Sequence, residues 1–208
     1  MKVKSLQKVA KEYPDFKPGW EAEENGGLSN SRFGSVERIV ICKDDGSPIY
    51  DQYQIVEKGG AIVVPWYFER QFRVGLISLL RVIPADIITG LQGNVVSLEI
   101  PRGFSVGTED VAGTAIRELG EETQRVVVSL KRIGTINPNS AFYKSVIPVF
   151  AAEVDREKFS KLKPDAREKI FQCEFYPKKE IEDLIRGQKI FCGLSKAALM
   201  DFFSTIGC

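Results

Sequence analysis

The chain contains no histidine among its 208 residues. Histidine is the usual general base of serine and cysteine hydrolases and a common zinc ligand. Its absence therefore excludes Ser-His-Asp and Cys-His catalysis, histidine-ligated zinc and proton transfer through imidazole. Any acid–base or metal chemistry must come from carboxylate, lysine, tyrosine or thiol groups.

Cysteines and long apolar segments are also scarce. The cysteines stand apart, with neither a CxxC pair nor the spacing of a metal site, which is typical of reduced thiols in an intracellular protein. The basic N-terminus is not followed by the apolar stretch of a signal peptide. The longest apolar runs, such as 60–66 and 74–80, are too short to cross a bilayer. We therefore expect a soluble, cytoplasmic protein with no membrane partner.

Neither sign of charge dominates the sequence. The 29 basic and 28 acidic side chains give a formal net charge of +1, so nothing in this balance indicates nucleic acid as an obligatory partner. Hydrophobic residues make up 43% of the chain and charged residues 27%, as in an ordinary globular protein. A chain of this length has room for one sizeable core, or for one domain with an added lobe.

The segments of β character precede and follow one strongly helical segment. An Asp45-Gly46 turn joins two β-rich runs, 36–42 and 49–56, and predicts an N-terminal hairpin. Residues 109–122 carry apolar side chains at helical spacing. Further strands are predicted at 61–66, 75–82, 95–100, 126–133, 145–154 and 170–176, helices at 6–13, 178–186 and 194–203, and a charged surface loop with some helix at 156–169. This order favours an α+β fold or a mixed-sheet sandwich, with an N-terminal extension at 1–57 and a main domain at 58–208.

The central helix concentrates carboxylates on one face. Glu118 and Glu122 are four residues apart, and Glu121 borders the same face. Like charges at this spacing destabilise an isolated helix by about 0.2–0.5 kcal/mol per pair, so the cluster needs either full solvation or a neutralising cation. Magnesium takes oxygen ligands of this kind and bridges them to phosphates. An ordinary solvated helix is the alternative interpretation.

The spacing of these residues extends upstream into a recognisable motif. Gly103 and Gly107 lie ahead of the helix, where a glycine lets the backbone approach a metal or a phosphate closely. Glu109 stands at the start of the helix, where its charge is favoured by the helix dipole. Together with Arg117-Glu118-Leu119 and Glu121-Glu122, Gly103 and Glu109 stand at the spacing of the Nudix box. The chain therefore resembles the Nudix hydrolases.

This resemblance implies an α/β/α sandwich with a mixed β-sheet and a site for magnesium or manganese. The implied metal ligands are the carboxylates Glu118, Glu121 and Glu122, with the backbone carbonyl of Arg102. Arg117 would orient a glutamate, while Glu109 and Gly107 would shape the loop. The implied catalytic residues are Glu121, Glu122, Arg117 and Glu168.

The ADP-ribose pyrophosphatase branch of the family is the most similar. The Glu99-Ile-Pro-Arg-Gly103 segment resembles the Glu-x-Pro-x-Gly approach to the box in that branch, and implies that Glu99 and Gly103 contact substrate. Arg81 ends an apolar run, where a guanidinium can bind phosphate bidentately; a surface position is the alternative. The N-terminal hairpin resembles one that forms a homodimer in that branch. In that branch a further glutamate from a loop after the box assists the water or the metals. Glu168 and Asp165 are the candidates for this role here, and an ordinary solvated, charge-rich loop is the alternative.

The end of the motif departs from the family pattern. Gln124 and Arg125 replace the usual glycine and aliphatic residue. The glycine ends the helix in a left-handed conformation, which costs glutamine about 1–2 kcal/mol. We therefore expect the helix to end differently in this chain.

Metal-dependent hydrolysis of a nucleoside diphosphate linked to another moiety is the implied activity. ADP-ribose or a nucleoside diphosphate sugar is the leading substrate class, with a nucleoside monophosphate and a phosphorylated compound as products. One alternative is a Nudix hydrolase of dinucleoside polyphosphates or coenzymes. Another is a Nudix-fold nucleotide sensor without turnover, which the altered helix end favours and the clustered carboxylates disfavour.

Overall fold

The computed structural model describes residues 2–15, 34–83, 93–163 and 169–206. The chain divides into two compact units, residues 1–58 with 137–146, and residues 59–136 with 147–208. Residues 137–146, which the sequence prediction left in the main domain, thus belong to the first unit. Asp165 and Glu168 lie outside the described residues.

The first unit is built on an antiparallel sheet. Its elements are β1 (Lys2–Ser5), α1 (Leu6–Glu12), β2 (Gly34–Cys42) and β3 (Pro48–Glu57), with the strands in the order β1-β2-β3. The predicted hairpin is present, because β2 and β3 pair antiparallel and Gly46 takes a positive φ of 94° in the turn. The segment 137–146 adds to this unit through a parallel bridge between Tyr143 and Ile55 of β3.

The second unit contains a mixed sheet of seven strands. The strands are β4 (Gly60–Glu69), β5 (Gln71–Ile83), β6 (Gly93–Glu99), β7 (Arg102–Phe104), β8 (Arg125–Ile136), β9 (Ile147–Phe159) and β10 (Ile170–Pro177). The main path runs β10-β5-β4-β9-β8, with β6 beside β5 and β7 beside β4. The sheet is mixed because β4 pairs parallel with β9 and antiparallel with β5 and β7.

Helices cover both faces of this sheet. They are α2 (Val111–Thr123), α3 (Lys178–Arg186) and α4 (Gly193–Thr205). Along β4, Ala61 and Val63 pack in a core with α2, whereas Ile62 and Val64 pack in a core with α3 and α4. A strand buried on both faces has a continuous apolar sequence, which explains the composition of this run. The result is the α/β/α sandwich of the expected α+β class.

The structure corrects the prediction for residues 156–159. We expected a charged loop with some helix from 156 onward, but Arg156–Phe159 extend β9, and Phe159 pairs with Arg125 of β8. The charged composition concealed this strand because the pairing uses backbone groups, while all four of these side chains are exposed. The short strands β1 and β7 were not predicted either.

The end of α2 also corrects the prediction. Gln124 adopts the left-handed conformation itself, with φ 56° and ψ 25°. The neighbouring Thr123 supports this turn, because its hydroxyl donates to the Leu119 carbonyl at 2.7 Å and accepts from the Arg125 N–H at 3.1 Å. The helix therefore ends as it would with a glycine, and the expectation of a different end was wrong.

Among the described residues, no helix combines the length and the apolar character needed to cross a membrane.

Candidate active site

The strand β7, a short loop and α2 place the candidate residues. Asp110 caps the start of the helix, because its carboxylate accepts a hydrogen bond from the Gly113 N–H at 2.7 Å. Glu109 braces the preceding loop, since its carboxylate accepts from the Val106 N–H at 3.3 Å and from the Thr114 hydroxyl at 3.0 Å. These contacts fix the start of the helix relative to the loop, and with it the direction of the side chains that follow.

Two carboxylates of α2 are buried against β7. Glu118 and Glu122 are only 8% and 7% exposed. The Glu122 carboxylate accepts from the Arg102 N–H at 3.1 Å, while the Glu118 carboxylate occupies the space where a side chain at position 103 would begin. Glycine is therefore required at position 103 for this packing. The four-residue spacing on the helix and the absence of a side chain at Gly103 bring both carboxylates against β7.

Arg117 links three carboxylates, one in the loop before the helix and two in the C-terminal half of the helix. Its Nη1 lies 2.8 Å from both Glu118 Oε1 and Glu121 Oε2, and its Nε lies 3.2 Å from Glu109 Oε1. Its Nη2 donates to the Phe104 carbonyl at 2.8 Å. The network holds the three acids in position and neutralises part of their charge.

The pKa values of this network follow from its contacts. Burial by itself would lower the pKa of Arg117, but the hydrogen bond to Glu109 and the charges of Glu118 and Glu121 outweigh burial and raise it. Burial likewise opposes ionisation of Glu109, and hydrogen bonds from Arg117, Thr114 and the Val106 N–H outweigh it, so the pKa of this carboxyl is lowered. Both groups are held in their charged forms.

A second charged cluster surrounds Glu99 at the end of β6. This carboxylate is 2% exposed. Arg81 binds it in a bidentate manner, with Nε 3.0 Å from Oε1 and Nη2 2.9 Å from Oε2, and Arg102 Nη1 lies 2.9 Å from Oε2. Burial would raise the pKa of Glu99, but the hydrogen bond from Arg81 and the charges of both arginines lower it overall. A buried but ionised carboxylate thus holds two guanidinium groups.

The donor set of α2 fits a divalent cation in its chemistry. Glu118, Glu121 and Glu122 offer hard oxygen atoms of the kind that magnesium prefers, and the first and last of these close on β7. In the part of the chain that the structure describes, no group of three acidic or sulfur side chains has the geometry of a ready-made metal site. Instead, Arg117 supplies positive charge beside Glu118 and Glu121.

Most of the predicted site residues come together in these two clusters. Around β7 and α2 lie Gly103, Glu109, Arg117, Glu118, Glu121 and Glu122, and around Arg102 lie Arg81 and Glu99. Gly107 lies in the connecting loop with a φ of 60°. The predicted catalytic Glu168 falls outside the described residues, so its role stays a prediction.

Two contacts of the site were not anticipated. Thr114 donates to Glu109, and Cys192, at the start of α4, accepts from Arg102 Nη1 with its sulfur at 3.2 Å. A threonine five residues after an acidic loop residue is a faint signal at best. Cys192 is separated from Arg102 by 90 positions, and only the tertiary fold brings them together.

Comparison with known proteins bears on the fold. No family model matches the sequence, and no curated protein matches it. Among solved structures, 175 chains are similar. One of them is an ADP compounds hydrolase, which has 17% sequence identity and a TM-score of 0.63 over 85% of this chain and 88% of that chain. The chain therefore shares the α+β fold of this hydrolase. At this identity the likeness establishes the architecture of the chain and leaves its reaction to be argued from the site.

Proposed function

We propose that this chain hydrolyses the diphosphate linkage of a nucleoside diphosphate compound, with ADP-ribose or a nucleoside diphosphate sugar as the substrate class. The observation that carries the proposal is the burial of Glu118 and Glu122 against β7, next to a cluster with two arginines. Acidic and basic groups side by side suit a cation and a phosphate anion bound together. The structural likeness to an ADP compounds hydrolase supports the same class.

Magnesium or manganese would be held by Glu118, Glu121 and Glu122 with the backbone carbonyl of Arg102. When bound, such an ion neutralises phosphate charge and lowers the pKa of a water molecule. Arg117 orients the Glu118 and Glu121 carboxylates through contacts of 2.8 Å. Arg81, whose side chain is 40% exposed, would contact a substrate phosphate.

Since the chain has no histidine, a carboxylate is the proposed acceptor of the proton from the attacking water. Glu121, Glu122 and Glu168 are the proposed candidates for this base. Water adds to one phosphorus and the bridging P–O bond breaks. The products are a nucleoside monophosphate and a phosphorylated compound.

The competing proposal is a nucleotide sensor that binds without turnover. The altered helix end was its sequence argument, but Gln124 ends α2 in the left-handed conformation that the family pattern needs. The observation that still favours it is the pairing of Arg117 with Glu109, Glu118 and Glu121, which neutralises acids that a cation would otherwise balance.

Product release from a panel of nucleoside diphosphate compounds, with magnesium or with EDTA, tests the proposal. Glu122→Gln should lower turnover by about 100-fold or more, because a cation ligand supplies several kcal/mol to the transition state. Glu182→Gln, at an exposed position of α3, is the matched control and should behave as the native protein.

Magnesium-dependent formation of AMP from ADP-ribose, lost in Glu122→Gln, would support the proposed substrate class. Cleavage of another panel member would keep the mechanism and change the substrate. Nucleotide binding without any turnover would refute the hydrolase and favour the sensor.

A further inference from the structure

The side chain of Arg102 takes part in a cluster that the sequence motif did not assign to it. The motif concerned only its backbone carbonyl. In the structure, the guanidinium groups of Arg102 and Arg81 both contact the buried Glu99 carboxylate. Arg102 Nη1 and Arg81 Nη2 each lie 2.9 Å from Glu99 Oε2. Two guanidinium groups on one carboxylate leave one positive charge in excess. This excess positive charge lies beside the carboxylates of α2, because the Arg102 N–H also donates a hydrogen bond to the Glu122 carboxylate.

We propose that the side chain of Arg102 is a second anion-binding arm, which works with Arg81 to hold the phosphate groups of the substrate. This inference rests on the proposed function, because it concerns the substrate of the same site. Glu99 is then the brace of the clamp, a residue that positions both arms without itself binding the anion. The clamp consists of Arg81, Glu99 and Arg102.

Both arms have donors to offer. Glu99 engages Nε and Nη2 of Arg81, while Arg102 uses Nη1 for Glu99 and for Cys192. In the described part of the structure, Nη1 of Arg81 and Nε and Nη2 of Arg102 make no hydrogen bond. The two side chains are 40% and 26% exposed, so solvent, and hence an anion, reaches them. A guanidinium binds an oxyanion with two parallel N–H groups.

Glu99, the brace, lowers the entropic cost of binding an anion. A free arginine side chain loses rotamer entropy when it is ordered, but the buried Glu99 orders both arginines in advance. The same carboxylate stays ionised, since the two arginines lower its pKa against the effect of burial. Anchoring at Cys192, the residue before α4, further places Arg102 at a helix N-terminus, whose dipole favours an anion.

Arg102 could instead be a structural link between Glu99 and α4, and the experiment separates this role from the clamp. Binding of inorganic pyrophosphate in EDTA would be measured by calorimetry for the native protein, Arg102→Met, Arg102→Lys, Arg81→Met and Arg132→Met. Pyrophosphate reports on anion binding without turnover. Arg132 is exposed on β8, where its Nη2 contacts only Thr135 among the described residues, and serves as the control.

The clamp predicts that Arg102→Met and Arg81→Met each weaken pyrophosphate binding by about tenfold or more, because hydrogen bonds to charged groups are the strong class. Arg102→Lys should lose less, since it keeps the charge, and Arg132→Met should match the native protein. Glu122→Gln removes a neighbouring negative charge and should tighten binding, which a general loss of structure would not do. In turnover assays, Arg102→Met should raise KM more than it lowers kcat.

Native affinity in Arg102→Met, or no pyrophosphate binding by the native protein, would overturn the clamp. So would equal losses in Arg102→Lys and Arg102→Met together with a fall in melting temperature, because that pattern indicates a packing role. Turnover of the nucleotide panel with unchanged pyrophosphate binding in Arg102→Met would remove the clamp and leave the hydrolase. Loss of pyrophosphate binding in a protein that cleaves no panel member would leave the clamp and remove the hydrolase.

Discussion

Gly103→Ala tests the central feature of the site with one added methyl group. A Cβ at position 103 would collide with the Glu118 carboxylate, which lies in that space. Since the strand is fixed by pairing with β4, with Gly103 opposite Ala61, the carboxylate must move. It would then leave its buried position beside β7 and its contact with Arg117 Nη1 at 2.8 Å.

The expected cost to stability is modest and the cost to activity is large. Overpacking a site costs about 1–3 kcal/mol, and the lower end applies because Glu118 can swing away as a flexible side chain. If Glu118 is the metal ligand that we propose, its displacement removes an interaction worth several kcal/mol in the transition state. We therefore expect kcat/KM for the cleaved panel compound to fall by about 100-fold or more, with a loss of roughly 1 kcal/mol in the free energy of unfolding.

Gly107→Ala is the matched control. Gly107 has a φ of 60° and a Cβ there would meet no atom within 4 Å, so its substitution costs about 1 kcal/mol of backbone strain without displacing a carboxylate. The assay is kcat/KM together with urea unfolding for both variants, alone and combined with Glu118→Ala. Once the carboxylate is removed, Gly103→Ala should have no further effect on activity. Equal activity in Gly103→Ala and Gly107→Ala would refute the reasoning.

Further predictions concern the helix end and the charged networks. Gln124→Gly should raise the free energy of unfolding by about 0.5–1 kcal/mol, because relief of left-handed strain exceeds the added entropy of the unfolded chain. In thermal unfolding, the melting temperature should rise by about 2 °C. An unchanged or lower melting temperature would contradict this prediction. The lowered pKa of Glu99 predicts stability that is fully present above the ordinary value of 4.5 and is lost as pH falls through the folded-state pKa. Glu99→Gln should flatten this acid loss in urea unfolding at several pH values, and an unaltered pH profile would show that Glu99 does not cause it. Arg117→Met should lower the free energy of unfolding by about 1–3 kcal/mol at neutral pH, and by less in acid where its partners are protonated; a pH-independent loss would indicate packing rather than charge.

Much of the fold followed from local patterns, because those patterns reflect burial. The continuous apolar run of β4 is buried on both faces of the sheet, and α2 carries its apolar residues at the spacing that points them to one side. The Asp-Gly turn of the N-terminal hairpin is a local signal as well. Such features are visible in sequence because each depends on neighbouring residues.

The missed elements depend on partners that are distant in sequence. Strand β7 has only three residues, and β4 provides its pairing. Residues 156–159 are charged, and β8 makes them a strand. Gln124 adopts its unfavourable conformation because Thr123 supports the turn and the Ser160 N–H donates to the Gln124 carbonyl at 2.9 Å. Propensity predicted the cost at this position correctly but not the contacts that offset it.

Arg102 shows why a sequence motif predicts the positions of a candidate site more readily than the side-chain contacts within it. The spacing of the box picks out positions whose role is carried by the helix or by the backbone, so it located the acids of α2 and the loop ahead of them. It did not indicate that the Arg102 side chain contacts Glu99 and Cys192. Because the backbone of Arg102 belongs to the acidic cluster and its guanidinium to the basic one, Arg102→Met separates the two: the N–H to Glu122 is retained while the arm is removed. If the site binds a cation through the acidic cluster and a phosphate through the basic one, Arg102→Met should keep the metal dependence of any residual turnover. Its affinity for the phosphate anion should fall.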